Sequence, residues 1–279
     1  LLVVDDSPTN LIVVSHVLKH NGAWVQTANS GEEALILLED SSNDYDAVLM
    51  DVQMPGIDGL ETTARVRKDL GLTSLPIIAL TAGALVEEKN RALDAGMNDF
   101  LTQPIDPSKL INVLRTLVEA YRGKEIAIES LRSTVSETLP ETEEWPTITG
   151  LNLDKAKNIL LGDKELFLNT LGGLLSDYSN LALEPDDEID GPDAEPLRLE
   201  TASQVHKLRS VSGMVGAKKI QQLAAQAEKT LRSEHEPAKQ VLVELSLALQ
   251  GLQQASWSVL DVWKKEKFDA LSSKGEAPE

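Results

Sequence analysis

Between residue 1 and about residue 118 the chain alternates short apolar runs with helix-period segments. The runs are "LLVV", "AWVQTA", "DAVLM", "LPIIAL" and "DFLTQP", each short and rich in aliphatic residues, as strands buried on both faces require. Between them the apolar positions fall at helical spacing, as with Ala34, Leu35, Leu37 and Leu38 after the turn "NSGEEA". Five βα repeats predict a doubly wound α/β domain with a five-stranded parallel sheet over residues 1–118. Sites in such folds lie where loops leave the carboxyl ends of the strands.

The rhythm then changes. Residues 119–150 run through "EAYRGKEIAIESLRS" into "ETLPETEEWPTITG", where acids and prolines interrupt any helix, so a helical extension and linker is expected. From 151 to 268 every apolar pattern has a period near 3.6, predicting an all-α domain, a helical bundle. Within it the stretch 184–196 collects Glu184, Asp186, Asp187, Glu188, Asp190, Asp193 and Glu195 without a basic residue and is expected to be a solvated, mobile connection. Residues 269–279 are expected to form a disordered polar tail.

The 279 residues, 42% hydrophobic and 25% charged, suffice for two cores. A net charge of -19 argues against nucleic acid as a partner, because that affinity comes from clustered Lys and Arg. With no cysteine, thiolate sites are excluded and oxygen ligands are expected to do any metal binding, and a reducing, cytoplasmic location fits. No apolar run reaches the roughly 18 residues of a membrane span. The chain starts directly on a strand without an initiator Met, as expected of a piece of something larger, so membrane attachment would come only through upstream segments.

Asp5 and Asp6 follow the first strand and Asp51 ends the third. If those strands are neighbours, three carboxylates meet at the switch point of the sheet, where they repel unless a divalent cation sits among them, and Mg2+ is the expected ion. The alternative is that such acids cap the helices that follow strands. The turn "DVQMPGIDG" couples Asp51 to Met54, Pro55, Asp58 and Gly59; "IIALTA" supplies Thr81; the fifth strand carries Phe100 and leads into "TQP". With these residues at the ends of the first, third, fourth and fifth strands, residues 1–118 resemble the response-regulator receiver family, which implies a flavodoxin-like fold. The resemblance implies that Asp51 accepts a phosphoryl group from a phosphohistidine, and that Asp6, Asp51 and the Gln53 backbone carbonyl ligate Mg2+ with Asp5 reaching it through water. It also makes Thr81 and Phe100 the switch pair. A carboxylate is a weak nucleophile, but phosphoryl transfer mainly requires alignment and charge neutralisation.

The family carries Lys where this chain has Gln103. An amide donates a hydrogen bond without a positive charge, and the difference of about 1 kcal/mol is roughly 5- to 10-fold in an equilibrium. Weaker phosphorylation at Asp51, or a weaker structural response to it, is therefore expected.

His206 lies in a helical segment beside a stripe of Leu197, Val205, Leu208 and Val215, with the small residues Ala202, Ser210 and Gly213 on its own face and Arg209 at i+3. Small neighbours predict an imidazole open to a docking surface, and Arg209 is placed to stabilise an added phosphoryl group. "HKLRSVSGMVGA", helped by "GDKELFLNTL" before it, resembles the histidine phosphotransfer (HPt) domain, in which the exposed His of a four-helix bundle exchanges phosphate with receiver aspartates. Arg209-Ser210 stands where that family usually has Lys-Gly. His16 and His20, at i, i+4, have a spacing that suits a metal but read rather as neighbours on a solvated helix face, and His235, in "SEHEP", is assigned no role. Gly172-Gly173 within a helix points to close approach of another helix or of a docking receiver, or to a tolerated cost of about 1 kcal/mol per residue.

Receiver, linker and HPt domain in this order resemble the C-terminal end of a hybrid sensor histidine kinase. An upstream kinase domain would then phosphorylate Asp51, and His206 would pass the group to a downstream response regulator docking on its helix face. The sequence has no Gly-rich phosphate loop, so it is not expected to make phosphohistidine from ATP. Two rivals remain: a receiver that serves as a docking or regulatory module while His206 still carries phosphate, and a phosphohydrolase. The latter needs a second carboxylate two residues after Asp51, where Gln53 stands.

Overall fold

The structure is a computed structural model that describes residues 1–40, 44–81, 86–122, 144–182, 187–191, 193–233 and 236–273. The chain divides into two compact units, one built on residues 1–141 and the other on 142–157 and 163–279, with 158–162 grouped with the first.

The first unit holds a five-stranded parallel sheet of β1 (Leu2–Val4), β2 (Gln26–Ala28), β3 (Val48–Asp51), β4 (Ile77–Thr81) and β5 (Asp99–Thr102), in the order β2-β1-β3-β4-β5. The helices are α1 (Pro8–His20), α2 (Gly31–Glu39), α3 (Gly59–Lys68), α4 (Val86–Asp94) and α5 (Pro107–Arg122). Strand residues alternate between two cores. Leu2, Val4, Val48, Met50, Ile77 and Ala79 pack toward Ala34 and Leu38 of α2, Val66 of α3 and Ala92 of α4. Val3, Leu49, Ile78 and Leu80 pack on the other side against Val14, Val17 and Leu18 of α1 and Leu110, Leu114 and Val118 of α5. Both faces of the sheet are thus covered, which explains why its strands read as unbroken apolar runs. This is the expected flavodoxin-like topology, with its strand-order switch between β1 and β3.

The helix starts are local and strong. Ser7, Ser30 and Asp58 each accept a hydrogen bond from the backbone N–H three residues on, capping α1, α2 and α3.

The second unit is helical: α6 (Leu153–Ile159), α7 (Lys164–Asp177), α8 (Glu195–Met214), α9 (Lys218–Leu231) and α10 (Lys239–Ser273). Helices α7, α8, α9 and α10 each pack against the next, and α10 closes back on α7, giving the four-helix bundle. Fully buried Phe167, Leu171, Leu174, Leu208 and Leu245 fill it. Trp145 packs against Phe167 with the rings tilted by 42° and their centroids 5.1 Å apart. Helix α10 continues to Ser273, into the stretch expected as a tail, while 274–279, most of the linker (123–143) and His235 lie outside the described residues.

The acidic stretch departs from expectation. Asp190 accepts from the N–H groups of Ala238 (2.7 Å) and Lys239 (3.1 Å) at the start of α10 and from Arg198 (2.9 Å). Arg198 also donates to the carbonyls of Ile189, Thr230, Leu231, Ser233 and Glu236. At least this part of the loop is a fixed junction: a carboxylate caps one helix and anchors the arginine that gathers the carbonyls at the end of another. A Cβ on Gly172 would meet nothing within 4 Å, so close helix approach does not explain that glycine.

Candidate functional site

Register places the acids. Val4 of β1 pairs with Met50 of β3, so Asp5 and Asp51, one residue further along each strand, leave the sheet side by side. One carboxylate oxygen each from Asp5, Asp6 and Asp51 lies within 4.8 Å of the others, the one metal-capable cluster of three or more His, Cys, Asp or Glu among the described residues. Asp5 and Asp51 are buried, 1% and 3% exposed. Burial, then the charge of Asp5, push the Asp51 carboxyl well above its ordinary range; the Gln53 N–H, 3.3 Å away, opposes them, and Asp6 adds to the rise. The donor set consists of hard oxygens with an excess of negative charge, which fits a small divalent cation such as Mg2+.

Around this cluster Thr81, at the end of β4, is buried, and Phe100, on neighbouring β5, is half-buried with the Lys89 Nζ 4.8 Å from its ring centroid. Gln103 is 7% exposed, precedes a cis bond to Pro104, and donates its backbone N–H to the Thr81 carbonyl at 2.7 Å. Its Nε2 lies 3.4 Å from Asp5 Oδ2. The structure thus brings Asp5, Asp6, Asp51 and Gln103 to one cleft, with the Gln53 N–H against Asp51. Gly59 closes the floor: a Cβ there would lie 2.1 Å from the Asp51 carbonyl oxygen, so only glycine fits.

Sequence reasoning missed Asn10. It is 3% exposed and donates Nδ2 to both oxygens of Asp5, at 3.1 and 3.0 Å. Its position in the first turn of α1, five residues after Asp5, was the available signal.

His206 is on α8 in the second unit, and here the structure corrects the expectation of an open imidazole. The residue is 4% exposed, and Ala202, Ser210 and Gly213 are buried with it. Small residues on this face let α9 pack closely. The imidazole Nδ1 lies 2.7 Å from Glu228 Oε1 of α9, while Nε2 is buried without a hydrogen-bond partner. Glu228 Oε2 accepts from Arg209 at 3.3 Å, and Arg232 Nε stands 3.6 Å from Oε1. Burial raises the Glu228 pKa, but the His206 hydrogen bond and charge, then Arg209 and Arg232, outweigh it and hold the carboxyl below its ordinary value. Glu228 and Arg232 were not foreseen; an acid at 228 on the buried face of Ala224, Ala227 and Leu231 was the sign. The His16 and His20 rings stack at 6.4 Å on α1, with no third ligand in reach among the described residues.

Residues 1–115 match the response regulator receiver domain family and residues 164–255 the Hpt domain family. The sensor histidine kinase GacS of Pseudomonas protegens is 31% identical over 254 residues, 89% of this chain but 26% of that protein, so the chain spans about a quarter of this relative. The sensor histidine kinase RcsC of Escherichia coli K12 is 43% identical over 122 residues, 44% of this chain and 12% of RcsC. Among solved structures, the receiver domain of a sensor histidine kinase of Pseudomonas aeruginosa, described with a magnesium ion in its active site cleft, is 36% identical and covers 42% of this chain and 94% of its own, with a TM-score of 0.39. Residues 1–115 belong to the receiver family and residues 164–255 to the Hpt family, the pairing of a multistep His-Asp phosphorelay module of two-component signal transduction.

Proposed function

We propose that Asp51 takes a phosphoryl group from a phosphohistidine of an upstream kinase domain, and that His206 then takes it from Asp51 and passes it to a downstream response regulator. The carrying observation is the convergence of Asp5, Asp6 and Asp51 at adjacent strand ends, two of them buried. One Asp51 oxygen attacks phosphorus as the donor's N–P bond breaks, and the donor imidazole keeps the electron pair. Asp6, Asp51 and the Gln53 carbonyl would hold a Mg2+ ion, with Asp5 assisting through water, and the ion would supply charge neutralisation for the transferring oxygens. Thr81 meets a phosphoryl oxygen, and Phe100 repacks in response.

In the second transfer the His206 Nε2 lone pair attacks phosphorus, the Asp51 O–P bond breaks, and the carboxylate is regenerated. With Nδ1 donating to the Glu228 carboxylate, the neutral imidazole carries its lone pair on Nε2. Arg209 is placed to balance the charge that arrives. Because Nε2 is buried, this transfer requires the groups over it to move. We place the chain in the cytoplasm; among the described residues no helix is long and apolar enough to cross a membrane.

A second reading is favoured by Gln103, a neutral amide within reach of Asp5 where the family has a cation. On that reading the receiver is weakly phosphorylated and serves mainly as a docking or regulatory module, with His206 still a carrier. Phosphotransfer from a cognate kinase to wild type, Asp51→Asn, His206→Gln and Gln103→Lys decides. The relay reading expects Asp51→Asn to abolish label on His206, and an unchanged label there defeats it. A large rise of label at Asp51 in Gln103→Lys selects the second reading.

A further inference from the structure

Asp5 is gripped from two sides. Asn10, in the first turn of α1, donates Nδ2 to both carboxylate oxygens at 3.1 and 3.0 Å. Gln103, on the loop after β5, brings Nε2 to 3.4 Å from Oδ2. The Ser7 N–H adds a bond to Oδ1 at 2.8 Å. Both side-chain donors are nine-tenths or more buried. Left to itself, a carboxylate crowded by Asp6 and Asp51 turns away from them. Two buried amides fix its direction, and since neither is charged they do so without neutralising it.

We propose that Asn10 and Gln103 are a pair of positioning residues, an amide clamp that orients the Asp5 carboxylate toward the divalent cation shared with Asp6 and Asp51 while keeping its full charge. The proposal rests on the phosphoacceptor reading of this site. It gives Gln103 a role of its own. A lysine would reach the same oxygen but bring a positive charge beside the dication, whereas glutamine supplies the hydrogen bond alone. The clamp therefore favours the metal at the expense of a cation for the phosphoryl group.

The test uses the full chain and Mn2+ as probe, with free Mn2+ read by electron paramagnetic resonance. Wild type is expected to bind one Mn2+, lost in Asp51→Asn. Asn10→Ala and Gln103→Met, which remove the donors, are expected to weaken binding about 5- to 10-fold each. Gln103→Lys is expected to weaken it about tenfold or more, because the introduced charge repels the ion. If the residues act through Asp5, Asn10→Ala causes no further loss in an Asp5→Asn background, whereas a merely structural role gives the same loss there. Metal-free Gln103→Met should unfold at the wild-type temperature.

Mn2+ affinities within twofold of wild type for Asn10→Ala and Gln103→Met, or full additivity with Asp5→Asn, overturn the clamp and leave the phosphoacceptor reading intact. A wild-type chain that binds no Mn2+ overturns both. If Asn10→Ala does not fold, the two Gln103 variants decide the question. Tighter binding by Gln103→Lys also overturns it.

Discussion

Asp51 and His206 are both buried, yet the charges about them are arranged in opposite ways. Around Asp51 the neighbours are acids, so its carboxyl is pushed above its ordinary range by burial and by Asp5. Around His206 the acid, Glu228, is shared between the imidazole, Arg209 and Arg232, and its pKa is lowered despite burial. One site leaves its negative charge for an arriving cation; the other is balanced by the chain itself. A group that must hold metal and phosphoryl together benefits from the first arrangement, and one that must hold and release a phosphoryl group without metal benefits from the second.

The largest expected effect that tests this contrast is on stability. Glu228→Ala leaves the His206 Nδ1–H and Arg209 without their acceptor and should destabilise the second unit by about 2–3 kcal/mol, below the usual figure for a buried pair because both arginines are partly exposed. Urea unfolding followed by tryptophan fluorescence in a chain that keeps only Trp145, which packs against Phe167 in this unit, measures this. Next, Mg2+ at 100 times its Kd should stabilise the first unit by about 2.7 kcal/mol and leave the second unchanged, as read by hydrogen exchange peptide by peptide. Equal protection of both units would break the comparison.

Removing the acid at the other site should act in the reverse sense. Metal-free Asp51→Asn is expected to stabilise the first unit by about 1 kcal/mol, because it relieves a repulsion, and thermal unfolding in a chelator checks it. The pH dependences also oppose each other. Asp51 binds its proton more readily folded than unfolded, so the metal-free first unit gains stability as pH falls from that raised value toward the ordinary 3.8. Glu228 binds its proton less readily folded, so its contribution is present above 4.5 and lost as pH falls through its lower folded value. Smallest in energy, but direct, is access: diethylpyrocarbonate should modify His206 about tenfold more slowly than His20, since Nε2 reacts only after local opening.

The sheet was legible because strands covered on both faces have a distinctive pattern and because Asp5 and Asp51 follow short strands whose neighbourhood the topology dictates. What the sequence hid were partnerships made in three dimensions. Glu228 lies 22 residues from His206, and Asp190 meets Ala238 from 48 residues away. The small residues around His206 were read as an open face, though the same pattern is what a closely packed neighbouring helix demands. Asp190 was read by composition as solvated; a capping carboxylate looks the same until the helix it caps is placed.

Gly59 carries a different lesson. Because no side chain can be added there without striking the Asp51 carbonyl, that position has a single permitted letter, and the floor of the cleft is closed to evolutionary adjustment. Residue 103 reaches the same cleft from a turn, where one long side chain can replace another without moving a strand. Variation in the charge of this site enters through the loop at 103, so relatives sharing the fold can differ in electrostatic character by a single codon.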